Sequence, residues 1–103
     1  MDDSDKRAAE RKPISLDAQL RDRGASKFAI RVIDISTTGF RAECDFRLHE
    51  DTLVWLTLPG MAGLEARVAW RDGNFLYGFV FARPLHEAVL DRIVALGGAT
   101  DPG

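Results

Sequence analysis

Only one of the 103 residues is a cysteine, Cys44. An internal disulfide is therefore excluded, and nothing in the composition points to oxidative processing. Long apolar runs are missing too. The most hydrophobic stretch, from Leu53 to Leu64, is interrupted by Thr57, Pro59, Gly60 and Gly63. It is far shorter than the roughly 20 residues that a membrane helix needs. The opening MDDSDKR is charged and lacks the apolar segment of a signal peptide. Net charge is also slight: 14 Lys and Arg against 16 Asp and Glu leave −2. That argues against a domain devoted to wrapping a nucleic-acid backbone, which is bound through many cationic contacts. The strands described next also show no exposed aromatic series interleaved with basic residues. The expectation is a soluble, cytoplasmic protein with no membrane insertion and no nucleic-acid partner.

What is present suffices for one domain. Hydrophobic residues make up 46% of the chain, with six Phe and two Trp, enough for a core without staples. Ile14, Leu16, Ala18 and Leu20 alternate with Ser15, Asp17, Gln19 and Arg21, the period of a half-buried strand. Residues 27 to 35 form a second strand. There Phe28, Ile30 and Val32 share one side and Ile33 and Ile35 continue on the other, a phase change that predicts a bulge or burial of both faces. Phe40, Ala42 and Cys44 mark a third strand, Leu53 to Leu58 a fourth, and Leu64, Ala66, Val68 and Trp70 a fifth. RDGN at 71–74 is a hairpin signal, and Phe75 to Phe81 is a sixth strand. Gly78 within that strand marks a bulge or a close backbone approach. From Pro84 the period changes. Leu85, Val89, Ile93 and Leu96 form one stripe of an amphipathic helix, with Pro84 in its first turn and Gly97 and Gly98 at its stop. The fold class expected is mainly β: a six-stranded antiparallel barrel over residues 13–97, with the C-terminal helix covering an end or packing along the side. Residues 1–12 form a flexible N-terminal arm without a large apolar side chain, and residues 98–103 a frayed tail.

Two short stretches carry candidate chemistry. The first, DISTTG at 34–39, follows the second strand. Asp34 offers two acceptor oxygens, and Ser36 can donate and accept. Gly39 permits a positive φ, so that the chain reverses without a Cβ in the way. Such a set could meet a guanine edge, with its adjacent N–H donors and carbonyl. Equally, Asp and Ser commonly satisfy neighbouring backbone amides in turns. The second stretch is RAAER at 7–11. Arg7 and Arg11 share one face of a helix, or lie about 13 Å apart in an extended arm at roughly 3.3 Å per residue. Guanidinium groups grip phosphate bidentately and stack on flat bases. Alone, the arm reads as an ordinary solvated charged tail.

Taken together and in this order, RxxxR before the first strand and D/N-x-S-x-x-G between the second and third, the chain resembles the PilZ domain. This is a bacterial receptor family for the second messenger cyclic di-GMP. ARVAW, YGFVF and the following PLHEAVLDRI extend the resemblance over about residues 6 to 96. The resemblance implies a binding module and no enzyme, with cyclic di-GMP as ligand and no cofactor. Arg7 and Arg11 would clamp phosphates and guanines, Asp34 and Ser36 would hydrogen-bond a guanine, and Gly39 would keep the turn close. Lys6 stands where many relatives carry another arginine, a position associated with how many ligand molecules bind. The expected device is an arm that orders over the ligand and so creates a surface for a downstream effector protein. The alternative is a nucleotide-independent adaptor built on the same barrel.

Other residues are set aside. Trp70 lies in phase with Val68 and is expected in the core. Arg41, beside the turn, is expected as a solvent-facing strand residue, with reach to a phosphate as the other possibility. Cys44 falls on an inward face and has no activating partner. His49 and His86 belong to no metal-ligand cluster, and no pair of groups converges for acid–base chemistry.

Overall fold

The computed structural model describes residues 11–24, 26–61 and 63–97. Of the arm expected at 1–12, residues 1–10 lie outside the described residues, as does the tail expected at 98–103, while Lys12 already belongs to the first strand. The strands run β1 (Lys12–Asp22), β2 (Lys27–Ile35), β3 (Gly39–Cys44), β4 (Leu53–Thr57), β5 (Leu64–Asp72) and β6 (Leu76–Phe81), followed by helix α1 (Glu87–Gly97). They close in the order β1-β2-β3-β6-β5-β4, every neighbour antiparallel. The expected six-stranded barrel with one C-terminal helix is thus observed.

Alternation builds the barrel. Ile14, Leu16, Ala18 and Leu20 of β1 are buried while Ser15, Asp17, Gln19 and Arg21 are exposed, so one face of each pleat fills the interior. Phe40 of β3 stacks on Phe79 of β6 with centroids 4.5 Å apart, and its ring also meets Phe81. Cys44 is buried, as expected. Burial pushes its thiol above the usual range, which keeps the reactive thiolate scarce.

Both ends of the barrel are covered. At the end where β1 begins, α1 packs Leu90 and Ile93 into the core. Gly97 approaches so closely that a Cβ there would fall 2.8 Å from Leu16 Cβ. The buried helical face is therefore Leu90, Ile93 and Gly97, with Val89 and Val94 alongside. Leu96, expected in the stripe, is 45% exposed. Pro84 precedes the helix instead of entering its first turn. The helix begins after His86, whose Nδ1 accepts the Ala88 amide at 3.1 Å, a side-chain cap on one of the unpaired first-turn donors. Gly97 lies inside the helix.

At the opposite end the β3–β4 connection folds over the opening. Its Leu48 is buried, and Phe46 packs on Phe28 at 4.2 Å. Tyr77 fastens this cover from inside: its hydroxyl donates to the Phe46 carbonyl at 2.9 Å and accepts the Leu48 amide at 3.1 Å. Replacing Tyr77 by Phe strands a buried donor and an acceptor while keeping the ring. Tyr77→Phe is expected to lower unfolding free energy by about 1–3 kcal/mol, read as a lower midpoint in urea with an unchanged slope.

Candidate functional site

The β2–β3 turn is held by its own side chains. The Ser36 amide donates to the Gly39 carbonyl at 2.8 Å. The Ser36 hydroxyl accepts the amides of Thr38 and Gly39 at 3.1 and 3.3 Å. The same hydroxyl lies 3.1 Å from Thr38 Oγ1 and 3.4 Å from the Gly39 carbonyl. Ser36 is 3% exposed, so its hydrogen-bonding capacity is spent within the turn. Backbone carbonyls of Thr37 and Thr38 in turn accept the amides of Leu85 and Phe81, tying the approach to α1 onto the same corner.

Gly39 is needed here for a different reason from the one expected. Its φ is not in the left-handed region, where Gly60 and Gly73 are found. A Cβ on Gly39 would instead land on the carbonyl oxygen of Phe79 in β6. What approaches Gly39 is therefore the protein's own strand.

Asp34 points away from the turn onto the outer face. A register shift between Val32 and Asp34, the bulge anticipated from the phase change, places it opposite Arg41. Arg41 pairs with Gly78 of β6, and Gly78 with Trp70 of β5. Cross-strand partners share a face, so Asp34, Arg41, Gly78 and Trp70 form one row across four strands. Trp70 is not a core residue, as its phase with Val68 had suggested. A second register shift, between Val68 and Trp70, turns it outward, half-buried, with its indole against Gly78 where a Cβ would collide with the ring.

Arg41 is more than a solvent-facing strand residue. Its Nε donates to Asp34 Oδ2 at 2.7 Å, and its Nη2 lies 2.5 Å from the same oxygen. The hydrogen bond to Asp34 raises the guanidinium above its ordinary range, partly opposed by desolvation. Asp34 itself is 5% exposed, and its Oδ1 is buried without a hydrogen-bond partner. An orphaned buried carboxylate oxygen is costly.

The structure thus brings Asp34, Ser36 and Gly39 into one corner. Arg11 is exposed and directly precedes Lys12, which pairs with Ile35, while Pro13 pairs with Asp34. The root of the arm therefore enters beside the turn. Arg7 lies outside the described residues. Arg41 and Trp70, set aside from sequence, are brought beside this corner, and their places depend on strand register and on two bulges. Only the bulge in β2 left a signal in the sequence. A groove of about 1020 Å³ lies away from this corner. Its lining includes Asp17, Arg31, Glu43 and Phe75.

With this geometry in place, comparison with known proteins is informative. The family model of the PilZ domain matches residues 5–96, nearly the whole chain. No curated protein matches the chain.

Two substitutions test the corner. Ser36→Ala removes the acceptor of two amides and is expected to destabilise by about 1–3 kcal/mol, measured by urea titration. Gly78→Ala should drive the Trp70 indole off the sheet, lowering stability by about 1–3 kcal/mol. In a Trp55→Phe background, the displaced ring is expected to shift its fluorescence to the red.

Proposed function

The chain belongs to the PilZ domain family, and on that footing we propose that it is a cyclic di-GMP receptor that passes its signal to a partner protein. One observation carries this reading: Asp34 is a buried carboxylate with an oxygen lacking any partner, beside the entry of the strand that Arg11 precedes. A guanine edge presents adjacent N–H donors to such a group. Arg7 and Arg11 supply what the corner lacks, cations for two phosphates and planar groups to stack on the bases. Ser36 and Gly39 act by shaping the turn that holds Asp34 in place.

Magnitudes make the two halves interdependent. Ordering five or six arm residues over the ligand costs roughly 5–10 kcal/mol of backbone entropy. A hydrogen bond to a charged group contributes about 1.5–3 kcal/mol. Several such bonds together with stacking are required, so neither the corner nor the arginine pair suffices alone. The ordered arm and bound ligand form a new surface for a downstream effector.

A second reading, a nucleotide-independent adaptor, draws on the large outer groove. There Asp17, Glu43 and Asp45 outnumber Arg31, and the ring of Phe75 is 57% exposed. A thermal-shift comparison separates the two. Stabilisation by cyclic di-GMP and not by GTP supports the receptor, and indifference to both supports the adaptor.

The sharper test is calorimetric titration. Arg7→Ala and Arg11→Ala are each expected to weaken cyclic di-GMP binding by roughly 2–5 kcal/mol, the cost of leaving a desolvated phosphate unpaired. The melting temperature of the ligand-free protein should stay unchanged. Unaltered affinity in both variants removes the arginine clamp.

A further inference from the structure

Both donors of Arg41 crowd onto one oxygen of Asp34. A guanidinium meeting a carboxylate commonly spans it, with one N–H to each oxygen. Here Nε and Nη2 both address Oδ2, at 2.7 and 2.5 Å, and Oδ1 stays buried and unpartnered. The carboxylate side chain is 7% exposed. Neither oxygen is therefore open to a molecule arriving from solvent: one is occupied and the other is shielded. A donor pair that takes Asp34 must first take the place of Arg41.

The chemistry of the occupant indicates what can do so. The edge that Arg41 offers is two N–H donors on one planar carbon bearing nitrogens. Guanine carries the same unit in N1–H and the 2-amino group on C2. We infer that Arg41 is a specificity-determining residue that holds Asp34 as a stand-in for the guanine edge, and that the ligand binds by exchanging with it. The inference rests on the receptor reading given above.

The exchange is like for like, with one gain. Two N–H donors leave the carboxylate and two arrive. The incoming flat base can reach both oxygens, so Oδ1 acquires the partner it lacks. Arg41 can withdraw toward solvent, because its side chain is 34% exposed. A base with one donor cannot complete the exchange. Hypoxanthine keeps N1–H but lacks the 2-amino group. Adenine sets a single amino donor beside an acceptor nitrogen, whose lone pair would face the carboxylate. Either would leave an oxygen of Asp34 unpaired after displacing a guanidinium that had offered two donors, and buried unpaired acceptors discriminate strongly. Arg41 thus sets a threshold below which single-donor bases fail to enter.

Nitrogen-15 NMR of the full chain reads the exchange directly through the Arg41 Nε–H signal. In the ligand-free protein this signal should be shifted by its bond to Asp34, and Asp34→Asn should move it to a position typical of solvated arginine. If Asp34→Asn leaves the signal in place while the barrel amides keep their folded dispersion, the premise is wrong. Saturation with cyclic di-GMP should carry the wild-type signal away from its ligand-free position, together with the amides of residues 34–39. Movement of those amides while Arg41 Nε–H keeps its position overturns the exchange and leaves the receptor reading intact. No movement of any of these signals at millimolar cyclic di-GMP overturns the receptor reading, and the exchange falls with it. In parallel titrations, cyclic di-IMP should bind roughly tenfold or more weakly than cyclic di-GMP. Equal affinity for the two dinucleotides would sink the threshold.

Discussion

Closure of the sheet is the constraint from which the rest follows. β1 pairs with β2 on one side and β4 on the other, and the ring leaves each strand bonded to two neighbours. Closure satisfies the backbone of short strands without exposed edges, and it fixes an inside and an outside for every residue. The interior is filled by aromatic and branched side chains, the two ends by α1 and by the loop that Tyr77 pins. Among the described residues every strand edge is paired, which leaves none open to strand addition. The register then decides which side chains stand together on the outer face.

Two bulges make that decision. Without the extra residue between Val32 and Asp34, alternation would carry Asp34 inward and Ile35 outward. With it, Ile35 is buried in the core and Asp34 faces Arg41. The bulge before Trp70 does the same in β5, moving an indole from inside to outside. Bulges cost ladder bonds, yet here they align an acid, a guanidinium, a glycine and an indole across four strands. Gly78 serves that alignment by leaving room for the ring, and Gly39 serves it by letting β3 lie against the Phe79 carbonyl.

Much of this was legible in the chain and some was not. Period-2 alternation marked all six strands to within one or two residues, because interior and exterior differ sharply in a closed barrel. The phase change at Ile33 announced the first bulge, and DISTTG announced a polar corner. The second bulge was silent: Leu64, Ala66, Val68 and Trp70 read as clean alternation, and the added residue, Ala69, is small enough to suit either face. The helix stripe was half right, since Leu90 and Gly97 replaced Leu96 once the close packing of Gly97 on Leu16 fixed the helix rotation. Within the corner, both anticipated uses of Asp and Ser coexist. Ser36 satisfies the turn, while Asp34 is left short of a partner. Sequence spacing treats the two as equivalent acceptors; only the three-dimensional bonds separate them.

The pairing of Asp34 also bears on why such a corner is tolerable in a small domain. A buried carboxylate with no counter-charge is strongly unfavourable, whereas one held tightly through both oxygens would leave little for a ligand to improve. The observed arrangement falls between these. Arg41 supplies the charge and two donors, which keeps the carboxylate bearable inside the fold. Oδ1 remains unsatisfied at a cost of about 1–3 kcal/mol, which on the proposed receptor reading an incoming donor would recover. Because the cost is carried by a side chain on the outer face, the paired backbone and the aromatic interior are spared from it. That amount is too small to drive binding of a dinucleotide by itself. Its effect is to favour donors that reach Oδ1 over those that do not. On the proposed receptor reading, affinity comes chiefly from phosphates and stacking, and discrimination from one unpaired oxygen.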